Sequence, residues 1–301
     1  MGVVLVAVLI YQQKLATPVI YALTLIICVV ATAGALTQLL GGGQGVSAVL
    51  PLGLPWIGAH FRVDSLSAFF LTVINFGGAA ASFYALGYGR HEVAPGRVLP
   101  FFAAFLAAMN LVLVADDAFS FLLSWELMSV TSWALVISHH TDESNRRAGY
   151  VYLLMASFGT MALLLAFGIL AGAGGSYAFD VIRASAHTPL VAALVLLLVL
   201  LGAGSKAGIV PLHVWLPLAH PAAPSHVSAL MSGVMTKVAV YAFIRILFDL
   251  LHAPSWWSSV AVLFLGALTA VLGVLYALMQ HDLKRLLAYH TVENIGIIFI
   301  G

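Results

Sequence analysis

Long apolar runs separated by short polar segments make up most of this chain. Of its 301 residues, 62% are hydrophobic and 8% are charged, whereas soluble domains carry about 25% charged residues. A helix needs about 20 apolar residues to cross a bilayer. The pattern predicts an all-α, polytopic transmembrane helix bundle, with spans near residues 18–40, 64–89, 99–115, 118–139, 149–174, 190–210, 225–250 and 257–280.

At each end of the chain, the apolar segment is shorter than a full membrane span. Gly2–Tyr11 is short for a span and lacks the basic start and small-residue cleavage site of a signal peptide. Another span begins near residue 285 and is still apolar at Gly301. We therefore expect a bundle that is truncated on its C-terminal side.

The composition also argues against several kinds of binding partner and functional site. A net charge of +1 does not favour nucleic acid, and the single Cys28 excludes an intrachain disulfide or a cluster held by several cysteines of this chain. The sequence has neither a dinucleotide fingerprint after a strand nor a phosphate-binding loop. We expect no cofactor, no metal and no redox centre here. The residues alone leave open whether the chain serves an enzyme complex.

Basic residues are distributed unequally between the loops. Odd-numbered loops carry seven of them, and even-numbered loops carry only Arg62 and Arg183; the seven are Lys14, Arg90, Arg97, Arg146, Arg147, Lys284 and Arg285. By the positive-inside rule the odd loops face the cytoplasm and the N-terminus faces outwards. Lys284 and Arg285 are interpreted as topology anchors, and Asp116 and Asp117 as a solvated turn.

Two lysines lie at membrane depth, on either side of a proline-rich segment. Lys206 and Lys237 are separated by Pro211, Pro217, Pro221 and Pro224. A charge inside a bilayer costs about 2.5–3.5 kcal/mol on insertion scales. A helix broken there needs protein or a cavity around its freed backbone groups. The segment predicts a discontinuous helix beside an ion route.

Acidic groups at similar depth are candidates for the same route. Glu126 is near the middle of its span, and an intramembrane carboxylate is functional by default; the alternative is a carboxyl that is protonated or bonded to a neighbouring hydroxyl. Small residues before Lys206 allow close helix packing, and an interfacial lysine is the alternative there. Whether Glu126 and Lys206 meet is not decided by their spacing.

Histidines extend the candidate relay. Ser225 is expected to cap the next helix, and eleven residues separate His226 from Lys237, which predicts a stripe about 16 Å long through Leu230 and Gly233. His226 could instead be a hydrogen-bonding residue at a helix start.

Other histidines are weaker candidates. His213 and His220 lie in the proline-rich break, where they could relay protons. His290 and Glu293 share a helix face. His139 and His140 lie at the end of a helix. There they could interact favourably with the helix dipole or provide a point of proton access.

Three motifs stand out: WELMS at 125–129, the segment Gly202–Tyr241, and HDLKRLLAYHTVENIGIIFIG at 281–301, with a weaker VDSLSAFF at 63–70. They resemble the antiporter-like membrane subunits, which include the large proton-pumping subunits of complex I and the Mrp-type cation/proton antiporters. AYHTVENIG is similar to the hydrogenase-4 component B and formate hydrogenlyase subunit 3 branch. Leu218 stands where the family often has an acidic or other polar residue, and Ser157 stands where relatives of this branch can have histidine. These differences affect the expected proton route but not the assignment to this class of protein.

The resemblance implies a fold of about fourteen helices built from two inverted five-helix repeats, with both termini outside. It implies that Glu126 is the acidic switch, Lys206 its partner on the broken helix, and Lys237 the next relay. Residues 1–63 would be N-terminal helices and an outer loop, and residues 64–301 a first, incomplete half-channel. The implied function is proton or Na⁺/H⁺ movement in a hydrogenase-type oxidoreductase of a prokaryotic cell membrane, with membrane and peripheral subunits as partners.

Three alternatives stay open. The chain could serve complex I or an Mrp-type antiporter, which the neighbouring genes would decide. It could be a secondary transporter with a broken-helix site, which would take up solute by itself. It could also be a membrane anchor with an inactive ion path, which loss of function in Glu126→Gln without loss of assembly would exclude.

Overall fold

A computed structural model describes residues 2–11, 13, 15–42, 45–51, 53, 58–92, 94–172, 174–252 and 255–301. Lys14, which entered the charge count, lies outside these residues. The elements in the described part are α1 (Gly2–Ile10), α2 (Ala16–Leu40), β1 (Val46–Leu50), β2 (Ala59–Val63), α3 (Ser65–Tyr88), α4 (Pro95–Val114), α5 (Ala118–Val136), α6 (Glu143–Ala171), α7 (Phe179–Ala184), α8 (Pro189–Ala207), α9 (Leu216–Ala222), α10 (Ser225–Leu230), α11 (Thr236–Ile244), α12 (Trp256–Leu278) and α13 (Leu283–Ile300).

The helices form the predicted membrane bundle. Eight helical segments of the described chain are long and apolar enough to cross a bilayer, and they match the eight predicted spans. Large apolar side chains such as Phe76, Phe83 and Leu165 are exposed on their outer faces, where lipid would cover them. The chain is therefore a multi-pass membrane protein.

A small hairpin adds to the expected all-helical architecture. Strands β1 and β2 pair antiparallel, with Val46 opposite Val63. Phe61 pairs with Ala115 in the α4–α5 turn, and Asp117 pairs with Ala178 before α7. These contacts define one end of the bundle, the hairpin end. The domain boundary predicted at residue 63 stays a prediction.

The opposite end carries the connections after α3, α5, α9 and α12. Glu92 after α3 contacts His139 after α5, and Lys284 at the start of α13 donates to the Ala223 carbonyl after α9. We call this the His139 end.

The predicted helix break lies directly after Lys206. Helix α8 ends at Ala207, and Gly208 takes a left-handed conformation with φ of 91°, which glycine adopts without steric cost. A 3₁₀ turn, Leu212–Trp215, leads into α9. Trp215 donates from Nε1 to the Ser205 carbonyl at 2.8 Å, so a protein side chain satisfies this backbone group beside the break.

The helix after the break is continuous but irregular. From Ser225 to Leu250 it contains two π-helical turns, Met231–Met235 and Arg245–Leu250. The prediction that Ser225 caps it is wrong: Pro224 occupies the cap position, no side chain caps the helix start, and Ser225 is already helical. The Ser225 hydroxyl lies 3.5 Å from the Tyr88 hydroxyl instead.

Candidate functional site

Lys206 lies deep in the bundle, enclosed by hydroxyl groups. Its side chain is 3% exposed. Nζ donates to the Ser129 hydroxyl on α5 and to the Tyr152 hydroxyl on α6, each at 2.8 Å. Nζ also lies 4.8 Å from the centre of the Tyr152 ring, within range of a cation–π contact. Two helices thus hold the amine from one side, with neutral acceptors.

Glu126 is one helical turn before Ser129 on the same helix. Its Oε2 accepts a hydrogen bond of 2.6 Å from the Thr160 hydroxyl on α6, as one of the two sequence interpretations allowed. Among the described residues it forms no ion pair within 4 Å with Lys206, but it acts on both Lys206 and Tyr152 electrostatically. Carboxyl and amine therefore interact electrostatically, and each is hydrogen-bonded to hydroxyl groups of its own.

Small residues bring α6 and α8 together beside this site. A Cβ built on Gly202 would lie 2.7 Å from Leu163 Cγ and 2.8 Å from the Gly159 carbonyl oxygen. Close approach at the glycines before Lys206 was predicted and is confirmed. The contact places Lys206 against α6, within reach of Tyr152.

The Tyr152 hydroxyl links Lys206 to further groups. It is 2.6 Å from the Ser132 hydroxyl and 3.7 Å from Met235 Sδ in the first π-helical turn. The next residues are Thr236 and Lys237. Tyr152 therefore lies between the lysine before the break and the helix that carries the lysine after it.

His226 and Lys237 do not share the predicted stripe. The π-helical turn between them has a longer repeat than an α-helix, so the eleven-residue spacing no longer returns to one face. His226 Nε2 is 2.9 Å from the Tyr21 hydroxyl. Lys237 Nζ donates to the Ser232 carbonyl at 3.1 Å. The structure places them in different surroundings.

The remaining histidine candidates lie apart from Lys206. His220 Nδ1 is 2.9 Å from the Ser228 hydroxyl, and its buried Nε2 has no hydrogen-bond partner in the described structure. The His213 ring packs near Tyr276 and Tyr289. His290 Nδ1 is 2.6 Å from Glu293 Oε2 on α13, in an exposed pair. Across the described residues, no group of three or more histidine, cysteine or acidic side chains is arranged to hold a metal ion.

Comparison with known proteins places this arrangement in a family. The family described as NADH:quinone oxidoreductase/Mrp antiporter, TM, matches residues 115–301, which include Glu126, Lys206 and Lys237. The chain belongs to this family. It is 44% identical over 80% of its length to hydrogenase-4 component B of Escherichia coli (strain K12) and 32% identical over 90% of its length to formate hydrogenlyase subunit 3 of the same organism.

The chain covers 36% and 42% of those two relatives, so it corresponds to less than half of either. In fold it is similar to a chain of the Mrp complex from Dietzia sp. DQ12-45-1b, with a TM-score of 0.83, 24% identity and coverage of 99% of this chain and 56% of that one. A chain of a membrane-bound sulfane sulfur reductase, an archaeal respiratory complex, gives the same TM-score at 22% identity, covering 100% and 63%. The antiporter-like fold is thereby confirmed.

A charged network that the sequence did not predict lies at the hairpin end of this family member. Arg245, 3% exposed, donates from Nη1 and Nη2 to both Asp64 carboxylate oxygens at 2.7 and 2.8 Å, and from Nη1 to Asp249 at 2.9 Å. Arg183 binds Asp249 through two further bonds. The four-residue spacing of Arg245 and Asp249 was the available signal.

Asp116 and Asp117 belong to the same end, and the prediction of a solvated turn is wrong for Asp117. Asp117 is fully buried; it caps α5 by accepting from Ser120 N at 2.7 Å and binds His60 N at 2.8 Å. Asp116 lies 3.8 Å from both Arg62 and Arg183. Burial raises the pKa of the Asp116 carboxyl, although both arginines oppose the shift.

The pKa of Asp64, at the start of α3, is shifted in the opposite direction to that of Asp116. Burial by itself would raise the pKa of Asp64, but the Arg245 guanidinium, the Ser67 backbone N–H and Arg62 hold the pKa well below its usual range. The carboxylate therefore stays charged at neutral pH and fixes the beginning of α3 to Arg245.

Proposed function

We propose that this chain is the proton-translocating part of a membrane subunit in a hydrogenase-4 or formate hydrogenlyase-type complex. The observation that carries the proposal is Lys206, a buried amine held by two hydroxyls beside Glu126. A buried ammonium without a direct counter-ion is stable only with strong compensation, so its protonation can be changed by a nearby charge.

Glu126 supplies that charge. A carboxylate near Lys206 favours the ammonium, and loss of the negative charge, or its movement away from Lys206, removes that support. Lys206 then gives a proton to the Tyr152 oxygen while the Tyr152 hydroxyl proton leaves to a water molecule, so that Tyr152 stays neutral. Tyr152 also touches Met235, in the helix that carries Lys237, and Lys237 is the proposed next acceptor.

The histidines have separate roles in this proposal. His226 feeds the route from the His139 end, and Lys237 receives protons after the break. His213, His220, His290 and Glu293 are secondary relay candidates. The names of the hydrogenase-type relatives support the assignment of the complex, with other membrane and peripheral subunits as partners whose redox chemistry drives the movement. Na⁺ is the alternative ion.

The orientation belongs to the same proposal. The excess of basic residues supports a cytoplasmic His139 end and an external N-terminus. A cysteine replacing exposed Glu143, in a Cys28→Ala background, should react with a membrane-impermeant maleimide only from the cytoplasmic side; labelling from outside would reverse the assignment.

The proposal is tested by Lys206→Ala in the full-length protein within its membrane complex. Redox-driven proton movement, followed with a pH-sensitive dye in membrane vesicles, should be abolished while the complex remains assembled. Arg147→Ala, which removes an exposed cation, should behave like the unsubstituted protein. Normal proton movement by Lys206→Ala at an unchanged level in the membrane would refute the proposal.

A further inference from the structure

A second polar cluster lies at the His139 end, around the buried ring of His226. The rings of Tyr21, Tyr88 and Phe102 surround the imidazole, with centroids 5.4, 5.7 and 5.3 Å away. His226 is 1% exposed. Its Nε2 contacts the Tyr21 hydroxyl at 2.9 Å, and its buried Nδ1 has no partner in the described structure. In the described structure the imidazole is therefore hydrogen-bonded at Nε2, and its partner there is the Tyr21 hydroxyl.

Glu92 connects this enclosed ring with the surface. Its Oε1 lies 2.9 Å from His139 Nε2; the carboxyl side chain is 6% exposed, whereas the imidazole is 40% exposed. The carboxyl also acts electrostatically on the buried Tyr21 hydroxyl. An exposed imidazole and an almost buried carboxyl therefore form one pair, a buried phenol and a buried imidazole form a second, and the carboxyl acts electrostatically on the phenol.

We propose that Glu92 and His139 form the proton-uptake site of this chain and that Tyr21 passes the proton to His226. This inference rests on the proposed function, since it adds the route by which protons reach the relay. A surface ion pair that only joined two loops would contribute little to stability and would not need a carboxyl sequestered beside a buried tyrosine.

The transfer can be written with protons balanced. His139 takes a proton from water and passes it to the Glu92 carboxylate. The Glu92 carboxyl gives it to the Tyr21 oxygen, directly or through one water molecule. In the same step the Tyr21 hydroxyl proton moves to neutral His226 at Nε2, so Tyr21 stays neutral and His226 becomes an imidazolium.

Charges around His226 favour release of the proton that the imidazole receives. Tyr21 and Tyr88 are the titratable side chains that face it from α2 and α3. Lys284, from α13, donates to the Ala223 carbonyl at 2.9 Å and acts on the His226 ring electrostatically. Because like charges repel, an imidazolium beside Lys284 is a transient proton carrier rather than a stable one.

The test uses Glu92→Gln and Tyr21→Phe in the full-length protein within its complex. Each should slow the initial rate of redox-driven proton movement about a hundredfold, the lower end of the range for losing one positioned proton-transfer group. Glu143→Gln removes an exposed carboxylate at the same end, and Tyr150→Phe removes an exposed hydroxyl; both should match the unsubstituted protein.

Chemical rescue separates proton uptake from a structural role. Azide, a small mobile weak acid, should restore the rate of Glu92→Gln but not that of Lys206→Ala. If Glu92→Gln is slow, azide does not help and the complex is depleted from the membrane, the pair is structural only and the uptake site is refuted.

The two proposals fail in different ways. Normal rates in Glu92→Gln and Tyr21→Phe, with an inactive Lys206→Ala, would remove the uptake site and leave the proposed function intact. Normal rates in all three would remove both.

Discussion

Lys206 shows how a single buried amine depends on residues far away in the chain. Its two hydroxyl partners, Ser129 and Tyr152, are 77 and 54 residues earlier. Burying a charged group without its hydrogen bonds costs far more than making them contributes. The hydroxyls therefore determine whether an ammonium is stable at this depth. Each of them can be removed by mutation to test this.

Tyr152→Phe tests this dependence. The ring remains, but Lys206 and Ser132 each lose a partner, so the free energy of unfolding should fall by about 1–3 kcal/mol and proton movement should slow. Thermal unfolding in detergent and the vesicle assay measure the two effects. Tyr150→Phe, on the exposed face of the same helix, provides the matched control; equal behaviour of both variants would contradict the role of the Tyr152 hydroxyl.

Sequence reasoning at this scale located the charged residues but not their contacts. The depth of Glu126 and Lys206 follows from counting residues within apolar spans. The Thr160 bond to Glu126 and the Tyr21 bond to His226 could not be predicted, because each joins side chains from different helices. Only the packing of those helices selects the partner.

Individual helices are shaped by glycine, proline and π-helical turns. The break after α8 follows from Gly208 and the prolines beyond it, and the sequence predicted it. The π-helical turn Met231–Met235 has no comparable signal in the sequence. It separates His226 from Lys237, so the stripe expected from a regular α-helix does not form.

The contact between α6 and α8 gives an element-scale prediction. In Gly202→Ala the new methyl would overlap Leu163 and the Gly159 carbonyl, so the helices must separate at a cost of about 1–3 kcal/mol, and Lys206 should move away from Tyr152. Thermal unfolding in detergent measures the cost.

Gly168→Ala serves as the control for that change. It adds a methyl on α6 where nothing lies within 4 Å, and replacing a helical glycine by alanine is favourable by about 0.5–1 kcal/mol. An unaltered unfolding temperature and proton movement in Gly202→Ala would show that close packing of α6 and α8 is unnecessary.

Across the whole molecule, the arginine–aspartate network fastens the hairpin end. It joins β2 through Arg62, the start of α3 through Asp64, the α4–α5 turn through Asp116, α7 through Arg183 and the last turns of the helix after the break through Arg245 and Asp249. Separate segments of the chain are thereby held in fixed relation at one membrane surface.

Asp64→Asn should destabilise this end at neutral pH by about 2 kcal/mol. This is below the 3–5 kcal/mol expected for breaking a fully buried pair, because Asp249 still binds Arg245. Asp180→Asn, which changes an exposed carboxylate, is the control. The free energy of unfolding in detergent measures the effect, and equal stability of the two variants would contradict the role of the network.

The same variant has a defined pH dependence. The pKa of Asp64 is lowered in the folded state, so its contribution is fully present above the unfolded carboxyl pKa of about 3.9 and is lost as pH falls towards the folded value. The stability difference between Asp64→Asn and the unsubstituted protein should therefore be constant from pH 6 to 8 and shrink on acidification below about 4. A difference that grew on acidification would show the opposite shift.

The sequence by itself determined the membrane class, the spans, the broken helix and the depth of the charged residues, because these depend on local hydrophobicity and on glycine and proline. The tertiary structure decided which side chains meet: Lys206 with Ser129 and Tyr152, Tyr21 with His226, and Arg245 with Asp64. Such contacts depend on the rotation and packing of distant helices, which the apolar pattern of a membrane span leaves unspecified.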